Sequence, residues 1–208
     1  MPADPNFVCR FVAEPPQDPL PDGRWAATLK RHFLGACDPL SDEEDGLGDP
    51  GDVTFYPDRT WHGRTYIPAT TLTSTGYELF GYVSFRPGGE DREPSEFAAV
   101  ADFTPETAAE NPDWELDLCE EVVGIWRGEN GDSAEMTLVW GRPMVDGGEI
   151  VTAELAHLVV DQCMLEGNRF TLLAPDGYRG GTLECLLFDE DGTQIAHESL
   201  YEDDDDEE

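Results

Sequence analysis

The chain has 208 residues, 46 of them Asp or Glu against 12 Lys or Arg, for a formal net charge of −34. That length supports one good hydrophobic core rather than two, and ten Phe with five Trp supply the aromatic area that disordered chains lack. The acidity argues against direct binding of nucleic-acid phosphate and of anionic lipid, because both select Lys/Arg-rich surfaces.

Seven of the acids form the C-terminal run EDDDDEE, which leaves about −27 on the rest of the chain. Lys30 is the sole lysine against eleven arginines. The five cysteines, at 9, 37, 119, 163 and 185, are odd in number, widely spread and without a C-x-x-C pair, so they read as free thiols rather than a disulfide framework. No run of eighteen apolar residues occurs, and no charged-then-apolar leader opens the sequence. The expectation is a reduced, soluble, cytoplasmic protein.

In chain order, NFVCRFVA (6–13) alternates like a strand and is stopped by Pro15 and Pro16. Trp25, Leu29 and Phe33 are spaced four apart behind Asp22, which predicts a first helix with an N-cap. Residues 38–52 carry seven acids, two prolines and no base, which predicts a solvated, mobile loop. Residues 53–68 are β-like but broken by Pro57 and Gly63. YELFGYVSFR (77–86) is a strand rich in aromatics, and EFAAVADF (96–103) is its hairpin partner. Thr104-Pro105-Glu106 carries the N-cap and N1-proline signature of a short helix ended by Asn111-Pro112.

The stretch Glu120–Gly141, led into by WELDLC (114–119), reads as the central β-hairpin, with Asn130-Gly131 as a two-residue turn. That turn sets Ile125 opposite Met136 and Val123 opposite Leu138 on a core face, with Trp126 opposite Glu135 on the other. Residues 152–166 predict a second main helix, from Leu155, Val159 and Cys163 and a cap at Gly167. A meander of 169–174, 182–189 and 193–201 closes the chain. Its last pair sets Phe188 opposite Ile195, His197 opposite Leu186 and Leu183 opposite Leu200. The strand at 182–189 is then central, and His197 reads as a hydrogen-bonded core side chain.

Few residues suggest chemistry. There is no Walker A loop, no G-x-S-x-G and no H-E-x-x-H. Gly46, Gly48 and Gly51 match G-x-G-x-x-G, but among acids and without a flanking strand and helix. The same loop resembles a calcium loop only loosely, starting with Ser41 and ending with the short Asp52. Neither these residues nor 189–192 is assigned a metal, and no cofactor is expected. His157 and Cys163 stand about 240° apart on a helix, so they form no nucleophile–base pair there.

The strongest cluster is DRTWHGRTY (58–66), where Arg59, Trp61, His62, Arg64 and Tyr66 gather in a chain poor in positive charge. Forked hydrogen bonds and aromatic planes suit an anionic or aromatic ligand. The same residues suit a purely structural role, with the arginines paired to carboxylates and the rings packed inside. A second basic group, Arg24, Lys30, Arg31 and His32, lies on the first helix, where the acidic tail could fold back.

The fold expectation is therefore a single α+β domain over 1–201, mostly antiparallel sheet of about six to eight strands with two main helices, followed by a disordered acidic tail at 202–208. The functional expectation is a non-enzymatic protein-binding module of the inhibitor, immunity or nucleic-acid-mimic type. It would engage a basic protein partner, in an oligomeric state the sequence leaves open. The alternatives are a small-ligand binder or enzyme using 58–66, and acidity that serves only solubility or salt adaptation.

Overall fold

A computed structural model describes residues 15–200 except 17, 43, 45, 90, 91, 129, 130 and 178–180. The expected strand at 6–13, Asn130 and the acidic tail lie outside the described residues. Helix α1 spans Gly23–Cys37 after an extended Asp22 (φ −133°, ψ 172°), and buries Leu29, Phe33 and Cys37 at the expected spacing. A 3₁₀ turn at Asp38–Asp42 continues it. Residues 38–52 are therefore not wholly solvated. Leu40 and Leu47 are buried within this acidic stretch, and apolar burial at two positions suffices to dock it against the helix layer.

Twelve strands follow among the described residues. The first five are β1 (Thr54–Phe55), β2 (Arg59–Trp61), β3 (Arg64–Leu72), β4 (Glu78–Arg86) and β5 (Ser95–Thr104). Next come β6 (Leu116–Arg127), β7 (Ser133–Pro143), β8 (Ile150–Leu155) and β9 (Leu158–Met164). The last three are β10 (Phe170–Asp176), β11 (Leu183–Phe188) and β12 (Gln194–Ser199). Sheet one has the order β1-β3-β4-β5 with β2 on β3, sheet two β10-β7-β6, and sheet three β12-β11-β8-β9.

Side-chain alternation stacks these sheets. Ile67, Ala69, Leu79, Val83 and Phe85 of sheet one pack on α1, while Tyr66 and Tyr82 point the other way. They meet Met136, Leu138, Trp140 and Leu173 of sheet two. The opposite face of sheet two, with Leu116, Val139, Leu172 and Ala174, packs on Val151, Ala153, Leu183, Cys185 and Leu187 of sheet three. The order of layers is helix, sheet one, sheet two, sheet three. Sheet two is the middle of the stack, which explains why β7 is buried on both faces.

The α+β expectation with two main helices is overturned: the described chain is mostly antiparallel sheet with a single α-helix. Residues 152–166 form the hairpin β8–β9, with Leu155 opposite Leu158 and Ala156-His157 as its turn. The four-residue spacing of Leu155, Val159 and Cys163 coincides with a two-residue alternation that begins earlier. Val151, Ala153 and Leu155 line the core, and β-branched Val151, Thr152, Val159 and Val160 favour extended backbone. The turn is made without glycine, at φ 51° for Ala156 and 63° for His157. Changing this pair to Asn-Gly is expected to stabilise the protein by about 1 kcal/mol. A urea titration should show a higher midpoint at unchanged slope; a lower midpoint would contradict strain at the turn.

The short helix expected after Thr104 is also absent. Thr104 Oγ1 accepts the Glu106 N–H (3.1 Å), as a cap would, but only a single turn closes, with the Glu110 and Asn111 N–H groups on the Thr107 carbonyl. Pro112 then leaves no room for a second turn.

The central hairpin forms as β6–β7, in a different register. The Gly128 N–H donates to the Asp132 carbonyl (2.9 Å) and Arg127 lies opposite Ser133, a pairing that a two-residue turn at Asn130-Gly131 does not produce. Ile125 consequently lies opposite Glu135 and Gly124 opposite Met136, and a bulge at Val123 then shifts the register once more, setting Val122 opposite Thr137. Ile125, expected in the core, is 49% exposed. At the C-terminus β10 pairs with β7 instead of β11, so the three segments are not one meander. The β11–β12 pair does set Leu186 opposite His197, and β11 lies inside its sheet. Phe188 pairs with Gln194 rather than Ile195, because the register shifts there. His197 is solvent-facing, with Nε2 3.4 Å from Glu184, and is no core histidine. No helix among the described residues is long and apolar enough to cross a membrane.

Candidate functional site

The 58–66 cluster folds as the β2–β3 hairpin, turning at His62-Gly63 (φ 51° and 71°). Arg59 stands opposite Tyr66 and Trp61 opposite Arg64. Arg59 is 1% exposed and crosses from sheet one into both other sheets. Its Nε donates to the Thr171 carbonyl (2.8 Å), and its Nη2 to Asp161 Oδ2 (2.9 Å) and the Gln162 carbonyl (3.1 Å). Asp161 Oδ2 also accepts the Leu173 N–H (2.8 Å). Burial pushes the Asp161 carboxyl up, while Arg59 and the backbone donors pull against it.

Trp61 and Tyr66 belong to the core between sheets one and two. Tyr66 packs edge-on to Tyr82, and Gly124 leaves room for Trp61, since a Cβ there would lie 2.6 Å from its ring. Arg64 donates to Ser84 Oγ (3.0 Å) and the Glu96 carbonyl (2.8 Å). His62 stacks on Trp61 at 4.2 Å and is exposed. The structure thus brings four of the five onto one hairpin face, but engages the guanidinium groups and rings with the protein itself. The basic group on α1 is similarly dispersed, with His32 stacked on Phe97.

A different site emerges around β6, an edge strand of sheet two. A cleft of about 560 Å³ wraps this edge and is lined by every residue from 116 to 122. Odd positions face sheet one: Asp117 and Glu121 join Glu78, Asp102 and Glu106. Even positions face sheet three: Glu120 joins Glu198, beside Leu116, Leu118, Val122 and Thr137. Seven carboxylates line the cleft, and none of the lining residues is basic.

The neighbouring Arg142 reaches Asp117 Oδ2 (2.9 Å). Glu78 is raised to about 7, first by burial and then by the Asp117 charge, against a Thr70 hydrogen bond and Arg142. Glu120 is raised to about 7 by burial and by the charges of Asp176, Glu121 and Glu135. Burial and Asp102 raise Glu121 as well. Two polar atoms in this lining are buried without a partner, Glu120 Oε2 and Thr137 Oγ1. Thr137 is 1% exposed.

Sequence reasoning missed this cleft because its acids come from 78, 102, 106, 117, 120, 121 and 198, which only the stacking of the sheets brings together. The one legible signal was the departure of β6 from alternation, with Glu120 and Glu121 adjacent in the strand. No protein-family model matches the chain, nor does any curated protein or solved structure.

Proposed function

We propose that the protein is a binding module, without chemistry of its own, that takes a cationic segment of a basic protein partner into the cleft around β6. An inhibitor, an immunity protein or a mimic of nucleic-acid phosphate would work in this way. The observation that carries the reading is seven carboxylates around one cleft with no basic lining residue. Burial, with the charge of Asp117 on Glu78 and of Asp176, Glu121 and Glu135 on Glu120, raises both carboxyls to about 7. A guanidinium or ammonium group placed beside either carboxylate would be stabilised through charge-assisted hydrogen bonds in a partly desolvated site. The net charge of −34 would steer such a partner in from a distance, with a strong dependence on salt. The free state of Cys37, Cys119, Cys163 and Cys185 supports placing the protein in the reducing cytoplasm.

A heptaarginine peptide titrated by calorimetry is expected to bind at low salt and to weaken steeply as salt is raised. Glu120→Gln combined with Glu121→Gln should weaken binding about tenfold, whereas the same two changes at Glu190 and Asp191, as Gln and Asn, should have little effect. Equal weakening from both pairs would mean that diffuse charge, and not the cleft, binds the peptide.

A further inference from the structure

The cleft is built around a strand edge, and this determines how a segment can sit in it. β6 is twelve residues long and, among the described residues, pairs only with β7. An edge strand turns every second N–H and C=O away from its neighbour, and these groups form a template for another strand. All residues from 116 to 122 line the cleft, so the outward backbone groups of that stretch open into it. Pockets for alternate side chains lie on both sides of the edge, as strand addition requires. One side offers Glu78, Asp117 and Glu121; the other offers Glu120, Val122 and the buried, unpartnered Thr137 hydroxyl. Val122 and Ile125, both on β6, are among the exposed large apolar side chains.

We infer that the cleft binds its partner by strand addition: an extended segment with Arg or Lys at alternate positions pairs with the free edge of β6, its cationic side chains entering the carboxylate-lined pockets. This rests on the binding function proposed above and specifies its geometry. A second copy of β6 is disfavoured as occupant, because Asp117, Glu120 and Glu121 would face their own counterparts. A cationic strand of this pattern turns all its charged side chains to one face of the edge, where they meet acids instead of like charges. When that face is the one toward sheet three, the Thr137 hydroxyl and Glu120 Oε2 gain donors that the described residues of the unbound protein do not supply.

The test uses the full chain and a fluorescein-labelled decapeptide of alternating Arg and Val, followed by anisotropy at low salt. Two isomers of this peptide are N-methylated, one at every Arg and one at every Val, so that charge and composition are equal and only one set of N–H groups is lost in each. Strand addition predicts that the parent binds and that one isomer binds at least tenfold more weakly than the other. Equal affinity of the two isomers, with binding still abolished by salt, would overturn strand addition and leave the cationic-segment reading standing. Failure of the parent to bind at low salt would overturn both. In a complex of the expected kind, amide exchange slows at alternate residues within 116–122; slowing elsewhere in place of that stretch would count against the site.

Discussion

Arg59→Met is expected to lower the unfolding free energy by about 3–5 kcal/mol, which for a chain of this length corresponds to a fall in Tm on the order of 10 °C. The side chain is 1% exposed, and its donors hold the Thr171 carbonyl, the Gln162 carbonyl and Asp161 Oδ2. A methionine fills much of the same volume but leaves Asp161 as an uncompensated charge. The remaining backbone donors to that carboxylate, from Leu173 and Gln162, cannot replace a guanidinium.

The loss should be pH-dependent. Burial already pushes the Asp161 carboxyl up, and Arg59 is what pulls it down, so without Arg59 the folded-state value rises further above the unfolded one. The variant can then relieve the cost by binding a proton, and its deficit should shrink as pH falls. Adding Asp161→Leu to Arg59→Met should recover part of the stability, because an apolar pair avoids the desolvation of two charges. Urea melts at pH 8 and pH 5 on the two single variants and the double variant check this. A loss below about 1 kcal/mol for Arg59→Met would mean that the arginine is only a space filler.

This arginine also shows what could be read from the chain. Its cluster was legible as a local oddity, and the structural role was one of the two readings open to it. What sequence could not supply were its partners, which lie more than a hundred residues away on β9 and β10. Strands with strong alternation or aromatic content were readable from local pattern, as at 78–86 and 183–188. The hairpin of 150–164 was not, because an apolar face every four residues satisfies both a helix and alternate positions of a strand. Its Ala-His turn also carries none of the usual Asn-Gly chemistry. The register of β6–β7 slipped for a similarly local reason, a bulge at Val123 and a strand end where Arg127 pairs with Ser133. The cleft was beyond reach for a different reason, since it exists only where the edge of the middle sheet meets its two neighbours.

Stability is expected to increase as pH falls from 8 to 5, the reverse of a protein held by paired carboxylates. Glu78 and Glu120 each titrate at about 7 in the folded chain against about 4.5 when unfolded. Above pH 7 both states are charged, and the folded state carries the full cost of burying the charges. Between 7 and 4.5 the folded state binds protons that the unfolded chain does not, so stability climbs; below 4.5 the gain is complete. With allowance for solvent screening at these partly open positions, each side chain contributes about 1–2 kcal/mol.

Glu78→Gln and Glu120→Gln should therefore stabilise the protein at pH 8 and change little at pH 5, flattening the profile; destabilisation at pH 8 would show that the carboxylates are already satisfied. The same protons compete with a cationic partner. A bound arginine favours the charged carboxylates, so the affinity for the alternating Arg-Val peptide should fall as pH drops from 8 to 5, while the free protein becomes more stable. Opposite pH trends for folding and binding are the signature of a cleft whose charges are destabilising until a counter-charge arrives, and parallel trends would separate the acidity of the cleft from its use in binding.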